Sequence, residues 1–337
     1  MASSEYLLEV RGLKKYFKVG GKLGEKGGVL RAVDDVSFTL KQGETLGVVG
    51  ESGCGKSTLG NTIIRLLEPT GGQVLFEGQD LARMTKRQLA AVRPDIQMIF
   101  QDPFSSLDPR MRVFDIIAEP LRVHKAARGQ ELTDRVMGLM KVVGLDASYA
   151  SRFPHEFSGG QRQRIGIARA LALRPKLIIC DEPVSALDVS IQAQILNLLY
   201  DLQKQFNLTY IFIAHGLPTV KHVSSKVAVM YLGKVMELAD KDELFERPMH
   251  PYTQGLFEAV PIPDPTLRPE EGRREFLQGD IPNAMNPPSG CYFHPRCPYA
   301  TEECRKTAPQ FRPCAPGSTH YAACHHPLEN GQGIVRG

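Results

Sequence analysis

A glycine-rich stretch that ends in lysine and serine is the first part of the chain whose residue types and spacing indicate chemistry. Residues 50–58 read G-E-S-G-C-G-K-S-T and match the pattern G-x-x-x-x-G-K-[ST]. In such a loop the backbone N–H groups turn toward phosphate oxygens, and the following helix adds a favourable dipole. We therefore predict that Lys56 reaches the β- and γ-phosphates of a nucleotide and that Ser57 is a ligand of Mg²⁺. The predicted nucleotide contacts of this loop are Gly50, Glu51, Ser52, Gly53, Cys54, Gly55, Lys56, Ser57 and Thr58.

Two adjacent carboxylates follow an apolar run later in the chain. The run Leu177–Cys180 (L-I-I-C) directly precedes Asp181 and Glu182. A carboxylate at the end of a buried strand is costly without a partner, and Mg²⁺ would be that partner for Asp181. Glu182 is then placed to polarise the water that attacks the γ-phosphate. This pattern predicts hydrolysis of a nucleoside triphosphate, although a strand that ends in solvated acids would have the same sequence.

The run Phe157–Gln161 (F-S-G-G-Q) narrows the class of nucleotide-binding protein. It resembles the L-S-G-G-Q signature of the ABC (ATP-binding cassette) ATPases. In that family the signature of one cassette closes over the ATP held by another, so the resemblance implies that ATP contacts Ser158, Gly159, Gly160 and Gln161. A serine and two glycines at a helix start offer donors to the γ-phosphate. From the residues alone, the same run is also an ordinary helix cap.

Other positions resemble the same family in the same order along the chain. Gln101 follows an apolar run and resembles the Q-loop glutamine, which contacts Mg²⁺ or water and joins a helical insertion to the sheet. Ser185–Asp188 (S-A-L-D) resembles the D-loop, and His215 resembles the switch histidine that contacts the γ-phosphate. The resemblance thus implies catalytic roles for Gln101 and His215. Gly216 departs from the family, which commonly has aspartate there, so the capping of the next helix and the support of His215 are open.

Two aromatic residues near the N-terminus are candidates for the ring that stacks on adenine. They are Tyr16 and Phe17. Their spacing from Leu13 resembles the family pattern best when Phe17 is that ring.

Longer strings resemble one branch of the family, the ATP-binding subunits of dipeptide and oligopeptide ABC importers. These strings are GESGCGKST, FQDPFSSLDPR, DEPVSALDVS and HPYTQ. The resemblance implies that ATP hydrolysis powers peptide import at the cytoplasmic face of the membrane, with two membrane-spanning permeases and an external peptide-binding protein. It also implies a second, different ATPase subunit. The alternatives are an importer of nickel or another small solute, and a soluble ABC ATPase of translation or DNA repair, which would need a second cassette or a long coiled-coil insertion.

Five cysteines crowd the C-terminal end of the chain: Cys291, Cys297, Cys304, Cys314 and Cys324. In a reducing compartment such crowding indicates metal ligation before disulfide formation. Thiolates suit either zinc or an iron–sulfur cluster, and the spacing does not choose between them. Nearby histidines also keep a mixed zinc site open: His294, His320, His325 and His326. The resemblance implies a 4Fe–4S cluster in the C-terminal region, with Zn²⁺ as the alternative. From the clustering of the cysteines we expect its ligands to be Cys291, Cys297, Cys304 and Cys324, with Cys314 as a bystander.

The elements that must position these residues are those of an α/β domain. From Leu7 to about Pro248, short apolar or β-branched runs alternate with helical patterns, which predicts a largely parallel central sheet. Met111–Tyr149 has no strand signal and predicts a helical insertion, which we place at about residues 102–160. Val227–Leu238 predicts a hairpin that turns at Gly233. In such folds ligands collect at the carboxyl ends of the strands, where the candidate residues above are expected.

Composition and charge limit the partners and the location. The 337 residues carry 41 basic and 37 acidic side chains, and the net charge of +4 is too small to indicate a nucleic-acid partner. No apolar run approaches the ~18 residues that cross a bilayer, and the first residues lack a signal-peptide pattern. We therefore expect a cytosolic or peripheral membrane protein. The predicted organisation is an ABC ATPase domain at 1–260, a proline-rich linker at 261–290 and a cysteine-rich, metal-binding tail at 291–337.

Overall fold

The computed structural model describes residues 5–20, 27–102, 104–214, 216–259, 277 and 279–328. Within these ranges the strands are β1 (Leu8–Val19), β2 (Gly28–Leu40), β3 (Thr45–Val49), β4 (Gly71–Phe76), β5 (Gln79–Asp80), β6 (Ile96–Ile99), β7 (Leu177–Asp181), β8 (Thr209–Ile213), β9 (Lys226–Tyr231), β10 (Lys234–Asp240), β11 (Arg312–Pro313) and β12 (Tyr321–Ala322). The helices are α1 (Lys56–Ile63), α2 (Lys86–Val92), α3 (Val113–Val123), α4 (Gly129–Val142), α5 (Gly159–Leu171), α6 (Val189–Phe206), α7 (Leu217–Val223), α8 (Lys241–Glu246), α9 (Pro251–Glu258) and α10 (Glu302–Lys306). No helix in these ranges is both long and apolar enough to cross a membrane.

The chain divides into two compact units. The helical unit consists of the described residues of Met1–Glu9, Thr39–Thr45 and Leu75–Ala214. The P-loop unit consists of the described residues of Val10–Phe38, Leu46–Val74 and His215–Gly337. The candidate residues are therefore distributed, because the glycine-rich loop and the cysteines belong to the P-loop unit whereas the paired carboxylates and the signature run belong to the helical unit. The predicted limits of the linker and the tail stay predictions, since residues 260–276 and 278 lie outside the described ranges.

The helical unit contains three neighbouring parallel strands, two of which are buried along their whole length. In β6, β7 and β8 the register pairs Ile99 with Cys180 and Asp181 with Ile213. All residues of β7 and β8 are buried, which is typical of parallel strands covered on both faces and explains why they are apolar runs without alternation. The prediction of parallel α/β structure is thus confirmed here. Helices α3 and α4 lie within the segment predicted as a helical insertion, and α3 packs against both α4 and α5.

The P-loop unit has a mixed sheet in the order β3-β9-β10-β12-β11. β3 runs parallel to β9, with Val49 opposite Val229, whereas β9 and β10 form an antiparallel hairpin. This hairpin turns at Leu232 and Gly233, both with positive φ, so the predicted hairpin is confirmed. At its far edge β12 pairs with β10. A second sheet of this unit has the order β2-β1-β4.

Helix α1 differs from its prediction in both limits. The sequence predicts that a helix over Leu59–Leu67 follows the glycine-rich turn, but the helix begins at Lys56 and ends at Ile63. It begins earlier because the glycine-rich loop leads directly into its first turn. It ends earlier because Arg65 adopts a left-handed conformation with φ 56°, and Leu66 beyond it is half exposed to solvent.

Candidate nucleotide site

The glycine-rich loop connects the buried strand β3 to helix α1 in the P-loop unit. Gly55 is the N-cap of α1 with φ 106°, and Gly50 and Gly53 also have positive φ. A Cβ at Gly50 would collide with the Met230 carbonyl, and one at Gly55 would collide with the Ala32 carbonyl. These positions accept only glycine, because a side chain would have to take a left-handed conformation and push backbone away. The loop is therefore held in one shape at the N-terminus of α1, where the first backbone N–H groups have no partner within the helix.

Lys56 places a positive charge within this loop. Its side chain is almost fully buried, with 4% of its surface exposed. The ammonium group donates hydrogen bonds to the carbonyls of Gly50 at 2.8 Å and of Glu51 at 3.1 Å. Both acceptors are loop carbonyls, so the charge is aimed at the loop interior and is suited to binding an anion. Cys54 lies beside it as a buried thiol, and burial raises the pKa of this thiol.

Glu51 is bound by residues from the C-terminal part of the chain. Its backbone N–H donates to the Tyr252 hydroxyl at 3.0 Å. Its carboxylate accepts two hydrogen bonds from the Arg296 guanidinium, at 2.7 and 3.0 Å. The loop is thus tied to α9 and to the segment between Cys291 and Cys297.

The candidate adenine-stacking residues lie next to each other on β1. The Tyr16 hydroxyl donates to Asp34 at 2.5 Å, and this carboxylate also accepts from the Tyr292 hydroxyl at 3.2 Å. Burial and the bond to Asp34 raise the pKa of Tyr16. Successive strand residues point to opposite faces, so Phe17 is directed away from this polar cluster, and its ring is covered by the Lys15 ammonium at 4.8 Å. The geometry favours Phe17 over Tyr16 as a stacking ring, as the sequence pattern does.

The paired carboxylates lie at the carboxyl end of β7 in the helical unit. Asp181 and Glu182 are both buried, with 6% and 5% of their surface exposed. Gln101, which follows β6, donates through Nε2 to Glu182 Oε2 at 2.6 Å. Glu182 has φ 47°, a conformation that costs a non-glycine residue about 1–3 kcal/mol and is typical of functional positions. The structure therefore brings the predicted catalytic residues Gln101 and Glu182 together, whereas His215 lies outside the described residues.

The signature run forms the beginning of helix α5. Ser158 is the N-cap, its hydroxyl accepts from the Gln161 N–H at 3.4 Å, and the Gln161 side chain accepts from the Ser158 N–H at 3.1 Å. This is a reciprocal capping box, so the helix-cap interpretation is confirmed. It does not exclude phosphate binding, because Ser158 is exposed at a helix N-terminus. Gly160 lies against Ile191 of α6, where a Cβ would collide with Cγ2.

Helix α7 has no side-chain cap. Gly216 is its N-cap residue and offers no side chain to the first turn. The departure from the family pattern at Gly216 therefore does remove a capping interaction.

Four cysteines of the C-terminal region line one small cavity: Cys291, Cys297, Cys304 and Cys324. Burial raises the pKa of the Cys291 thiol to about 11 and those of Cys297 and Cys324 to about 12. Cys314 lies apart, in a different surface cavity beside Pro313 and Pro316. The donor chemistry fits a thiophilic metal, but no three His, Cys, Asp or Glu side chains in the described part of the chain converge closely enough to hold an ion.

One further buried polar side chain lines this cavity. His250 is fully buried, its Nδ1 accepts from the Tyr252 N–H at 3.0 Å, and burial lowers its pKa to about 3. Its Nε2 makes no hydrogen bond of ordinary geometry within the described residues. Because Nδ1 is an acceptor, Nε2 carries the proton of the neutral ring, and the Ala323 backbone interacts with it.

Sequence reasoning missed the residues that hold the glycine-rich loop. Tyr252, Arg296 and Tyr292 contact it or its neighbour strand from positions about two hundred residues or more away in sequence. The string HPYTQ, which contains Tyr252, resembles the importer subunits but carries no indication of this contact. Arg296 and Tyr292 lie between Cys291 and Cys297, and the cysteine pattern indicates a role only for the thiols.

Two family models match the chain. One, described as "ABC transporter", matches residues 33–185, and another, described as "Oligopeptide/dipeptide transporter, C-terminal region", matches residues 236–304. Among solved structures, the dimeric post-hydrolysis state of the ATP-binding cassette MJ0796 with ADP and Pi is similar, with a TM-score of 0.62 and 28% identity. That similarity covers 69% of this chain and 98% of the solved chain.

Curated relatives are similar over almost the whole chain. The oligopeptide transport ATP-binding protein AppF of Bacillus subtilis (strain 168) is 55% identical over 328 residues, which covers 96% of this chain and 98% of the relative. The oligopeptide transport ATP-binding protein OppF of Escherichia coli (strain K12) is 55% identical over 307 residues, which covers 90% of this chain and 92% of the relative. The chain therefore belongs to the ABC transporter ATPase family, within the group that shares the oligopeptide/dipeptide C-terminal region.

Proposed function

We propose that this ABC ATPase powers the import of dipeptides and oligopeptides through a membrane transporter. The observation that carries peptide transport, rather than nickel or another small solute, is the similarity to oligopeptide transport ATP-binding proteins, which extends through the C-terminal region. Its partners would be two transmembrane permeases, an external peptide-binding protein and a second ATPase subunit in a heterodimer. Its place would be the cytoplasmic face of the membrane.

Hydrolysis in this proposal depends on the carboxylate of Glu182. Gln101 donates to Glu182 Oε2 and so fixes the orientation of the carboxylate. A carboxylate held in this way can accept a hydrogen bond from a water and orient it toward a γ-phosphate. Lys56 and the loop N–H groups would bind the phosphates, and Phe17 would stack on adenine. Mg²⁺, with Ser57, Asp181 and Gln101 as its proposed ligands, supplies neutralisation of phosphate charge when bound.

In this proposal the signature run contacts the ATP that a second cassette holds. Ser158 and Gly159 stand at the exposed start of α5, where N–H groups and a hydroxyl hydrogen can donate to a phosphate. We infer that Ser158, Gly159, Gly160 and Gln161 bind the ATP of the partner subunit. His215 would contact the γ-phosphate, a role carried over from the family resemblance. An isolated chain would then hydrolyse ATP slowly, because each ATP needs a signature from the other subunit.

The test of hydrolysis is Glu182→Gln in the assembled transporter. We expect ATP binding to persist and turnover to fall by about 10² or more, because the amide cannot accept a proton from the water. Glu77→Gln is the matched control, since this exposed carboxylate of the same unit forms a surface ion pair with Lys176 and should leave turnover unchanged. Near-normal turnover in Glu182→Gln would contradict the assignment. Identification of the ligand on the external binding protein would test peptide import separately.

We also propose that a 4Fe–4S cluster is bound by Cys291, Cys297, Cys304 and Cys324. Their shared cavity and the sulfur donors support a thiophilic occupant, and its binding would have to draw the thiols closer together than they lie in the free chain. The cluster would crosslink segments that are distant in sequence and so stabilise the C-terminal region.

Metal analysis after anaerobic purification tests the cluster. We expect about four irons and four sulfides per chain. Serine replacement of each of the four cysteines should lose iron, whereas Cys314→Ser should keep it because Cys314 lines a different cavity. Stoichiometric zinc without sulfide would reject the cluster in favour of the Zn²⁺ alternative.

A further inference from the structure

We propose that Arg296 is a positioning residue for ATP binding, through its two hydrogen bonds to Glu51 of the glycine-rich loop. This inference rests on the proposed assignment of that loop as the ATP site. Arg296 lies on the short turn His294–Arg296, directly before Cys297. Its guanidinium donates from two nitrogens to the two oxygens of Glu51, at 2.7 and 3.0 Å. A fork of this kind fixes direction as well as distance.

The pair is shielded from water. The Arg296 side chain is 5% exposed and that of Glu51 is 20% exposed. Arg296 also lies 3.5 Å from the Tyr231 hydroxyl, which gives the guanidinium a second partner. Removing one member of a buried pair is costly because the other charge stays in a poorly solvated place. The loop therefore depends on Arg296 to keep the Glu51 carboxylate where it is.

The need for such a partner follows from the charge of Glu51. Its carboxylate is part of a loop whose proposed ligand is a polyphosphate, and two anions close together repel each other. Arg296 neutralises this carboxylate and holds it by both oxygens. The Glu51 N–H is directed to Tyr252 at the same time, so both polar ends of the residue are fixed by C-terminal residues. Glu51 is thus the loop residue through which Tyr252 and Arg296 position the loop.

The segment Cys291–Cys297 connects the thiol cavity to other parts of the P-loop unit. Its two terminal cysteines line the thiol cavity, while residues between them reach the rest of the P-loop unit. Tyr292 donates to Asp34, the carboxylate that also binds Tyr16 of β1. Because Cys297 directly follows Arg296, whatever fixes the cysteines also fixes the guanidinium.

The ring of Phe293 anchors the same segment in the core. It packs on Tyr231 and Tyr252, with ring centroids 5.6 and 5.3 Å apart. These contacts do not involve Arg296. The segment should therefore stay docked when the guanidinium alone is changed.

The test is equilibrium binding of MgADP to the purified full-length chain, which avoids turnover. We expect Arg296→Ala, Arg296→Lys and Glu51→Gln each to weaken binding several-fold, with Arg296→Lys included because lysine keeps the charge but not the fork. The double variant Arg296→Ala with Glu51→Gln should bind no more weakly than the weaker single variant, since both act through one contact. In the assembled transporter, KM for ATP should rise while kcat changes less than twofold.

A control from the same region separates positioning from a general effect on the tail. Lys306 forms an exposed pair with Glu302 on α10, so Lys306→Ala should bind MgADP as the original chain does. MgADP affinity within twofold of the original in folded Arg296→Ala would overturn the proposal. So would multiplicative losses in the double variant, or loss of folding in both Arg296 variants, which would mean that the residue only holds the tail. If the original chain itself bound no MgADP, the proposed ATP site would fail instead.

Discussion

Tyr252→Phe removes a single hydroxyl from the contact between α9 and the glycine-rich loop. Tyr252 is fully buried, and its ring packs on Tyr231 and Phe293 at centroid distances of 4.7 and 5.3 Å. Phenylalanine keeps this packing. The variant therefore isolates the hydrogen bond from the Glu51 N–H to the hydroxyl.

The expected cost follows from the donor that is left without its partner. An unsatisfied buried N–H destabilises a folded protein by about 1–3 kcal/mol. For a chain of this size, that lowers the melting temperature by about 1.5–4 °C. In the free protein the loop can relax toward water, and nucleotide binding must draw it back, so we also expect MgADP affinity to fall about 3- to 10-fold.

Thermal melting and calorimetric MgADP titration measure the two effects on the same samples. Tyr210→Phe is the matched control, because this buried hydroxyl in the helical unit donates to the Leu199 carbonyl at 3.1 Å. It should lower the melting temperature without changing affinity. If Tyr252→Phe melted like the original chain, or bound MgADP as tightly as Tyr210→Phe does, the hydroxyl would have no role in the loop and the reasoning would be refuted.

Two further predictions concern other parts of the molecule. Burial lowers the pKa of His320, but the carboxylates of Glu237 and Glu243 outweigh it and leave this pKa raised; the folded chain is therefore stabilised below about pH 6.5 and loses this contribution as pH rises through the folded pKa. Melting temperatures between about pH 6 and 8 should fall in the original chain and fall less in His320→Gln, and equal slopes would contradict this. Gly160→Ala should destabilise the chain by about 1–3 kcal/mol in chemical denaturation through its collision with a neighbouring helix. Gly166→Ala, in open space on the same helix, should stabilise it by about 0.5–1 kcal/mol, and similar shifts in both would show that the collision is relieved.

Much of the fold could be predicted because the relevant signals are local. The strands β7 and β8 are continuous apolar runs, and the β9–β10 hairpin has a glycine at its turn. The glycine-rich loop was predictable for the same reason, since its shape depends on glycines a few residues apart. The limits of α1 were wrong because apolar periodicity continues to Leu67 although Arg65 turns the backbone away.

The contacts that hold the loop could not be predicted from these signals. Glu51 meets Tyr252 and Arg296 across 201 and 245 residues of sequence. No spacing rule connects such residues, and the sequence around an arginine or a tyrosine does not indicate which distant residue it will contact. The resemblance implied a catalytic role for Gln101 but not its hydrogen bond to Glu182. That bond follows from the parallel pairing of β6 and β7, which places their carboxyl ends at one edge of the sheet.

The short strands β11 and β12 cover the free edge of the β9–β10 hairpin, because β12 pairs with β10 and β11 pairs with β12. Without them β10 would present unpaired N–H and C=O groups, a template on which other chains can add strands. β11, the outermost strand, is itself a poor template, because it has only two residues and one of them, Pro313, has no backbone N–H. A chain shortened before β11 would therefore do more than lose Cys314 and Cys324. It would expose the unpaired edge of β10, and we expect it to self-associate.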